Sequence, residues 1–208
     1  MKKFYSIIPL QVSGQLDSYC YQAVGNSKLQ MDEIISFPIL TAISGYAVPG
    51  EAFSVIYVVT DDERTKENES RFLAELKKLC ESRGLTAPEI HRIGIGTDDT
   101  VAAQAATFQK VIELAAEDDE LFACITYGTK PQSQVLLMSV QYAYRLMQNS
   151  SISCIVYGQI DRPSKDKSTW KGKVYDMTAL VQLDEIVRVL ADRGVKNPKP
   201  IIDSLLSL

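Results

Sequence analysis

Histidine is almost missing from this sequence, since His91 is the only one among 208 residues. Zinc sites of the usual kind need several imidazole or thiolate ligands, and the four cysteines, at positions 20, 80, 124 and 154, are not spaced as metal ligands. We therefore expect no metal site and no cofactor. The cysteines give no disulfide framework either, and thiols within apolar runs are typical of a reducing compartment.

Long apolar segments and an excess of positive charge are also missing. No stretch approaches the roughly 20 apolar residues of a membrane-spanning helix, and the apolar run after Lys2 and Lys3 is broken by Pro9. The formal net charge is −4, which argues against a general nucleic-acid-binding surface. We expect a cytoplasmic protein without membrane contact. Net charge does not exclude a local basic pocket.

The common nucleotide-binding fingerprints are missing as well. The G-x-x-x-x-G-K-[ST] phosphate loop does not occur, and Gly94-Ile95-Gly96 lacks the third glycine of the dinucleotide motif. A single histidine also leaves little room for a catalytic triad, because nothing around His91 resembles a nucleophile.

What the sequence does contain is an alternation of strand-like and helix-like segments. Predicted strands cover 4–10, 53–59, 89–95, 121–126, 153–158 and 173–177, and predicted helices cover 36–45, 61–83, 100–116, 132–148 and 181–193. Thr97 or Asp98 is the expected cap of the third helix, and residues 11–32 are expected to form a polar loop. This order predicts an α/β fold with a Rossmann-like, mostly parallel sheet and helices on both faces. We expect residues 1–208 to form a single domain with a short helical extension from about residue 181.

In such folds ligands bind beyond the carboxyl ends of the strands, which directs attention to the joint from Thr126 to Pro131. Gly128 permits positive φ or close backbone approach, the threonines offer hydroxyls, and Lys130 adds positive charge at a helix start. Free N–H groups and the helix dipole also favour anions there. The joint is therefore a candidate anion site, and the competing interpretation is a capped loop with a solvated lysine.

A second candidate is the polar stretch after the first strand. Ser13, Gly14, Asn26, Ser27 and Lys28 supply small donors and one charge that are suited to phosphates or bases. A surface loop of turn-forming residues is the competing interpretation. The loop at 161–167 is a third basic segment, for which a solvated loop or lid is the simpler explanation.

The run from Ile125 to Pro131 (ITYGTKP), followed by the apolar helix segment at 135–138, resembles the signature of CARF domains. These are the Rossmann-like sensors of type III CRISPR systems. The likeness extends more loosely to the segments at 36–39 and 155–158. One departure is Cys124, which stands where the signature usually has an acidic residue.

The resemblance implies that a homodimer binds a cyclic oligoadenylate, with tetraadenylate as the first choice. It assigns ligand contacts to Thr126, Tyr127, Gly128, Thr129, Lys130 and Pro131 and to Ser13, Gly14, Asn26, Ser27 and Lys28 in the second candidate stretch. No effector domain is visible, which favours a metal-independent ring nuclease with Lys130 and Ser13 as catalytic residues. Two alternatives stay open: a non-catalytic sensor that regulates a separate effector, and an unrelated nucleotide-binding protein.

Overall fold

The computed structural model describes residues 1–12 and 14–206, without the side chain of Lys167. The chain divides into two compact units, Met1–Asp176 and Met177–Leu208. The second unit contains two helices, α5 (Thr178–Asp192) and α6 (Lys199–Leu206). None of the described helices is long and apolar enough to cross a membrane.

The first unit contains an eight-stranded sheet and four longer helices. The strands are β1 (Lys2–Ile7), β2 (Tyr19–Val24), β3 (Ile34–Ile35), β4 (Phe53–Thr60), β5 (Glu89–Ile95), β6 (Glu120–Cys124), β7 (Ser151–Asp161) and β8 (Lys171–Asp176). The helices are α1 (Ile39–Tyr46), α2 (Glu63–Arg83), α3 (Val101–Ile112) and α4 (Lys130–Leu146), and short 3-10 turns lie at Ser27–Leu29 and Lys167–Thr169.

The sheet has the order β3-β2-β8-β7-β6-β1-β4-β5. Only the β2–β3 and β7–β8 pairs are antiparallel among the described strand pairs. This confirms the predicted α/β class with a Rossmann-like, mostly parallel sheet. The chain runs outward from β1 through β4 to β5 and then returns to β6 on the other side of β1. The carboxyl ends of β1 and β6 therefore form the topological switch point, where such folds bind ligands.

Helices cover both faces of the sheet, as predicted. Successive strand residues point to opposite faces, so Phe4 and Phe122 pack in one core with Phe37 beside α1 and Phe72 of α2. On the other face, α3 and α4 pack against each other, and α4 contacts β1 and β6. The buried stripe of α4 consists of Gln132, Val135, Leu136, Ser139, Val140 and Ala143.

The predicted polar loop at 11–32 was wrong in part, because β2 and the first 3-10 turn lie within it. Tyr21 is fully buried between the exposed Cys20 and Gln22, so the alternation typical of a half-buried strand is present but short. Several element ends also differ from the prediction: β1 ends at Ile7, and β7 continues to Asp161. The cap of α3 is Thr100, whose hydroxyl accepts from the Ala103 amide at 3.3 Å, rather than Thr97 or Asp98.

Lys3, which follows another lysine near the start of the chain, forms a buried ion pair. Its Nζ lies 2.7 Å from Asp119 Oδ2, and it also donates to the carbonyl of Leu114. Lys3 and Asp119 are both more than nine-tenths buried. A buried ion that loses its partner is costly because it stays out of water without compensation. Neighbouring Lys2 instead pairs with the exposed Glu51 at 2.7 Å.

We predict that Lys3→Met lowers the free energy of unfolding by up to about 3–5 kcal/mol, because the buried Asp119 then keeps, of its described partners, only the Ala116 amide at 2.8 Å and the terminal ammonium of Met1 at 3.5 Å. The matched variant Lys2→Met should cost less than about 1 kcal/mol, as expected for an exposed pair. Urea unfolding of both variants measures the difference. Equal effects of the two substitutions would contradict a special role for the Lys3 pair.

Candidate functional site

The joint between β6 and α4 begins at Thr126, whose hydroxyl takes the place of a backbone acceptor of the sheet. Thr126 Oγ1 accepts from the Gly158 amide at 2.7 Å and lies 3.1 Å from Cys124 Sγ. Thr126 thus holds the chain beside β7 at the point where β6 leaves the sheet. Burial raises the pKa of the Cys124 thiol, so a neutral group stands where the CARF signature usually has an acid.

Gly128 is required by the close approach of the joint to the end of β1. Its φ is +97°, and a Cβ at this position would lie 2.9 Å from two side-chain carbons of Ile7 and 3.0 Å from Gln132 Oε1. The joint therefore rests directly on the last residue of β1. The positive φ and the close backbone approach that the sequence allowed at Gly128 are both present.

A capping box closes the start of α4. Thr129 Oγ1 accepts from the Gln132 amide at 3.4 Å, and Gln132 Oε1 accepts from the Thr129 amide at 3.0 Å. Pro131, at the second helical position, has no N–H. An uncapped helix start has four free N–H groups. Here the capping box uses the amides of Thr129 and Gln132, so the amides of Gly128 and Lys130 remain as backbone donors of the joint. The joint thus carries the exposed Lys130 side chain in addition to these two amides.

The Tyr127 side chain is fixed to the core and also lines the site. Its hydroxyl donates to the carbonyl of Ser36 at 2.7 Å, and its ring meets Phe37 edge-on with a centroid distance of 6.1 Å. Burial raises the pKa of the Tyr127 hydroxyl well above its ordinary value. The side chain is thus fixed in the core, which limits its predicted contact with a ligand to the part of the ring that faces the cavity.

A cavity of about 140 Å³ lies beside Thr126 and Tyr127. Its other walls come from the segment after β1, from β2 and from the end of β7, and they include Gln11, Gln15, Tyr19, Tyr21, Gly158 and Arg162. Pockets that enclose a whole small ligand measure roughly 300–1,000 Å³. This cavity therefore has room for one part of a larger ligand, such as a base or a sugar, between aromatic and amide side chains.

Helix α2 holds the segment after β1 in place. Asn68 Nδ2 donates to the carbonyls of Pro9 and Gln11 at 2.9 and 3.0 Å, and Arg71 donates to the carbonyl of Leu16 at 2.7 Å. Asn68 is only 2% exposed. Sequence reasoning missed both side chains, although an asparagine on the apolar face of a helix is a usable signal for such a role.

The second predicted stretch is only partly brought to this site. Ser13 lies outside the described residues, and the exposed Gly14 precedes Gln15, which lines the cavity. Asn26 instead donates to Tyr46 Oη at 2.8 Å and to Asp176 Oδ2 at 2.7 Å. It also caps the 3-10 turn that contains Ser27.

Lys28 is likewise engaged away from the joint. Its Nζ lies 4.8 Å from the centre of the Tyr46 ring, which is a cation–π distance. None of Asn26, Ser27 and Lys28 lines the cavity. The structure thus gives the side chains of Asn26 and Lys28 local partners at Tyr46, near the end of α1.

The third basic loop does reach the cavity, through Arg162. Its guanidinium carbon lies 4.6 Å from the centre of the Trp170 ring, and Trp170 Nε1 donates to the carbonyl of Ser164 at 2.9 Å. Trp170 therefore anchors this loop. Arg162 is the one cationic side chain among the described residues of the cavity wall.

Sequence reasoning also missed Asp99, which lies at the joint. Thr129 Oγ1 donates to Asp99 Oδ1 at 3.1 Å, and the same oxygen accepts from Gln104 Nε2 at 3.0 Å. Asp99 stands 30 positions before Thr129, so no local pattern connects the two. Its carboxylate opposes an anion at this place, and any ligand must accommodate it.

The acidic run at 61–63 has structural partners. Asp62 caps α2 by accepting from the Arg64 amide at 2.8 Å, and Asp61 Oδ1 pairs with Arg92 at 2.7 Å. Acidic side chains at a helix start also complement the helix dipole. Within the described part of the chain, no three histidine, cysteine, aspartate or glutamate side chains are grouped as metal ligands.

Comparison with known proteins adds no family to this description, because no protein-family model and no curated protein matches the chain. Interpretation of the site therefore depends on the fold, the geometry of the joint and the chemistry of its side chains.

We predict that Gly128→Ala is more destabilising than Gly50→Ala. Gly50 also has positive φ, at +85°, but a Cβ there would meet nothing within 4 Å. The Gly50 variant should therefore cost only the backbone penalty of about 1–2 kcal/mol, and the Gly128 variant should add the clash with Ile7. Urea unfolding measures both, and equal losses would contradict the close packing at 128.

We also predict that Thr126→Val lowers the free energy of unfolding by about 1–3 kcal/mol, since the buried Gly158 amide loses its acceptor. Thr126→Ser keeps the hydroxyl and should cost less. Amide hydrogen exchange offers a local measurement, in which Gly158 should exchange faster in the valine variant. Unchanged Gly158 protection in Thr126→Val would mean that this bond does not hold the two elements together.

Proposed function

We propose that this protein binds a cyclic oligoadenylate, with tetraadenylate as the first choice, at the carboxyl ends of β1 and β6. The observation that carries the proposal is the position of the 126–131 joint, which lies at the switch point of the sheet and beside a cavity. The likeness of this joint to the CARF signature supplies the identity of the ligand.

The chemistry of the site suits separate parts of such a ligand. A phosphate fits Lys130 and the amides of Gly128 and Lys130, and Arg162 provides a cation at the cavity wall, which Lys130 itself does not line. An adenine base is planar and carries both donors and acceptors, so it fits a small cavity with tyrosine rings and the Gln11 and Gln15 amides. A ring of repeated nucleotides also suits a two-fold dimer, which presents each contact twice.

Ring cleavage is the reaction that we propose for the bound ligand. A ribose 2′-oxygen attacks the adjacent phosphorus in line and loses its proton, the bond to the 5′-oxygen breaks, and that oxygen takes up a proton. The products carry a 2′,3′-cyclic phosphate and a 5′-hydroxyl. Lys130 stabilises the negative charge that develops on the phosphate oxygens. We assign Ser13 to orientation of the reacting groups, whereas the Thr129 hydroxyl is already held by Asp99 and Gln132.

A non-catalytic sensor is the second candidate, and one observation favours it. The two-helix unit formed by α5 and α6 leaves aliphatic side chains exposed, including Leu180 at 58% and Leu206 at 67%. Apolar surface of this kind suits contact with a partner protein. In this alternative, ligand binding regulates a separate effector and the ring stays intact.

The test is incubation of the protein with cyclic tri-, tetra- and hexaadenylate in EDTA, with calorimetry for binding and chromatography for products. Lys130→Ala should weaken binding of the preferred ring by about tenfold or more, as expected for loss of a charge-assisted hydrogen bond. Lys78→Ala, which removes an exposed lysine of α2, is the matched control and should bind as the native protein does.

The outcomes separate the candidates. Linear products with a 2′,3′-cyclic phosphate, strongly reduced in Lys130→Ala, support the ring nuclease. Tight binding with an intact ring after several hours rejects cleavage and supports the sensor. Failure of all three rings to bind rejects both.

A further inference from the structure

The carboxylate of Asp99 is held in one orientation at the joint. Its Oδ1 accepts from both Thr129 Oγ1 at 3.1 Å and Gln104 Nε2 at 3.0 Å. Its Oδ2 accepts no hydrogen bond from any described residue, and the side chain is exposed. One oxygen is therefore fixed by two donors of the protein, and the other is available to a donor of a ligand.

Gln104 is placed to hold this carboxylate. It is 8% exposed, its Nε2 donates to Asp99, and its Oε1 has no hydrogen-bond partner in the described part of the chain. The reversed amide would set two acceptors against each other, so the Nε2 donor belongs on Asp99. A buried carboxamide that leaves one atom unsatisfied is uncommon. The hydrogen bond that Gln104 donates to Asp99 is the interaction that accounts for a buried glutamine at this position.

A fixed carboxylate bonded to Thr129, the residue before Lys130, conflicts with simple anion binding, because it repels a phosphate at short range. The conflict disappears if the ligand presents a hydroxyl next to its phosphate. A ribonucleotide does so through its 2′-hydroxyl, and a deoxyribonucleotide does not.

We propose that Asp99 accepts a hydrogen bond from a ribose hydroxyl and thereby makes the site selective for ribonucleotide over deoxyribonucleotide rings. This inference rests on the proposed function and adds the residue that distinguishes the sugar. A site built to bond a hydroxyl discriminates strongly against an analogue without it, since the protein group is then left unpaired. In the deoxy complex, Asp99 Oδ2 would face the phosphate without compensation.

The test compares cyclic tetraadenylate with its all-2′-deoxy analogue by calorimetry in EDTA, on ice and over minutes, with chromatography to check that the ring is intact. The native protein should bind the ribonucleotide ring about tenfold or more tightly than the deoxy ring. Asp99→Asn keeps Oδ1 for Thr129 and Gln104 but presents an N–H group in place of Oδ2. It should bring the two affinities within about twofold and bind the deoxy ring more tightly than the native protein does.

Asp98→Asn is the matched control for charge. Asp98 accepts from the Thr100 amide at 2.9 Å and from its hydroxyl at 3.0 Å, so the variant removes one negative charge next to Asp99 without touching the joint. It should keep the native preference for the ribonucleotide ring. Gln104→Leu, which releases the carboxylate, should reduce that preference.

Each remaining outcome decides between the two proposals. Equal binding of both rings by the native protein overturns the role of Asp99 and leaves the proposed function standing. A preference that disappears equally in Asp98→Asn and Asp99→Asn also overturns it, because general charge then explains the selectivity. Failure of both rings to bind overturns the proposed function and this inference together.

Discussion

The hydrogen bond from the Gly158 amide to Thr126 Oγ1 is the constraint on which the site depends. Strand β6 has five residues and β7 has eleven, so β7 continues after β6 has left the sheet. Thr126 satisfies the exposed edge of β7 at this point. Gly158 has no Cβ, and this leaves room for Pro38 at the start of α1. A Cβ at position 158 would lie 2.3 Å from Pro38 Cγ. The joint, β7 and α1 therefore meet at one place, and the cavity opens beside it.

From this meeting point the site is connected to the core by aromatic packing. The ring of Tyr127 contacts Phe37, Phe37 contacts Phe72, and Phe72 contacts Tyr57 of β4, all edge-on. Helix α2 carries Phe72 and, on the same helix, the Asn68 side chain that holds the segment after β1. One helix thus supports both the joint and the opposite wall of the cavity. Such support fixes binding groups before a ligand arrives, which lowers the entropy cost of binding.

The sequence predicts the parts of this structure that depend on local chemistry. Buried strands such as β4 are continuous apolar runs, and Gly128 has the positive φ that the sequence allows for. The parts that it does not predict depend on distant partners. Strand β2 shows only a short alternation of its own and is completed by its pairing with β8. Asp99 reaches Thr129 because α3 and α4, which begin just after these two residues, pack against each other. No spacing along the chain encodes either contact, so the cavity and its carboxylate emerge only in three dimensions.

The electrostatics of the joint bear on the size of the ligand that it suits. The capping box occupies the amides of Thr129 and Gln132, Pro131 has none, and the Asp99 carboxylate bonded to Thr129 adds a negative charge to the joint. A single phosphate therefore gains only a few contacts in one protomer, and a mononucleotide would be held weakly. In the homodimer that we propose, a ring placed on the two-fold axis repeats each of these contacts, and the second set forms at high effective concentration once the first has bound. Modest contacts of this kind favour a large symmetric ligand over a small one, which is the selectivity that the proposed function requires.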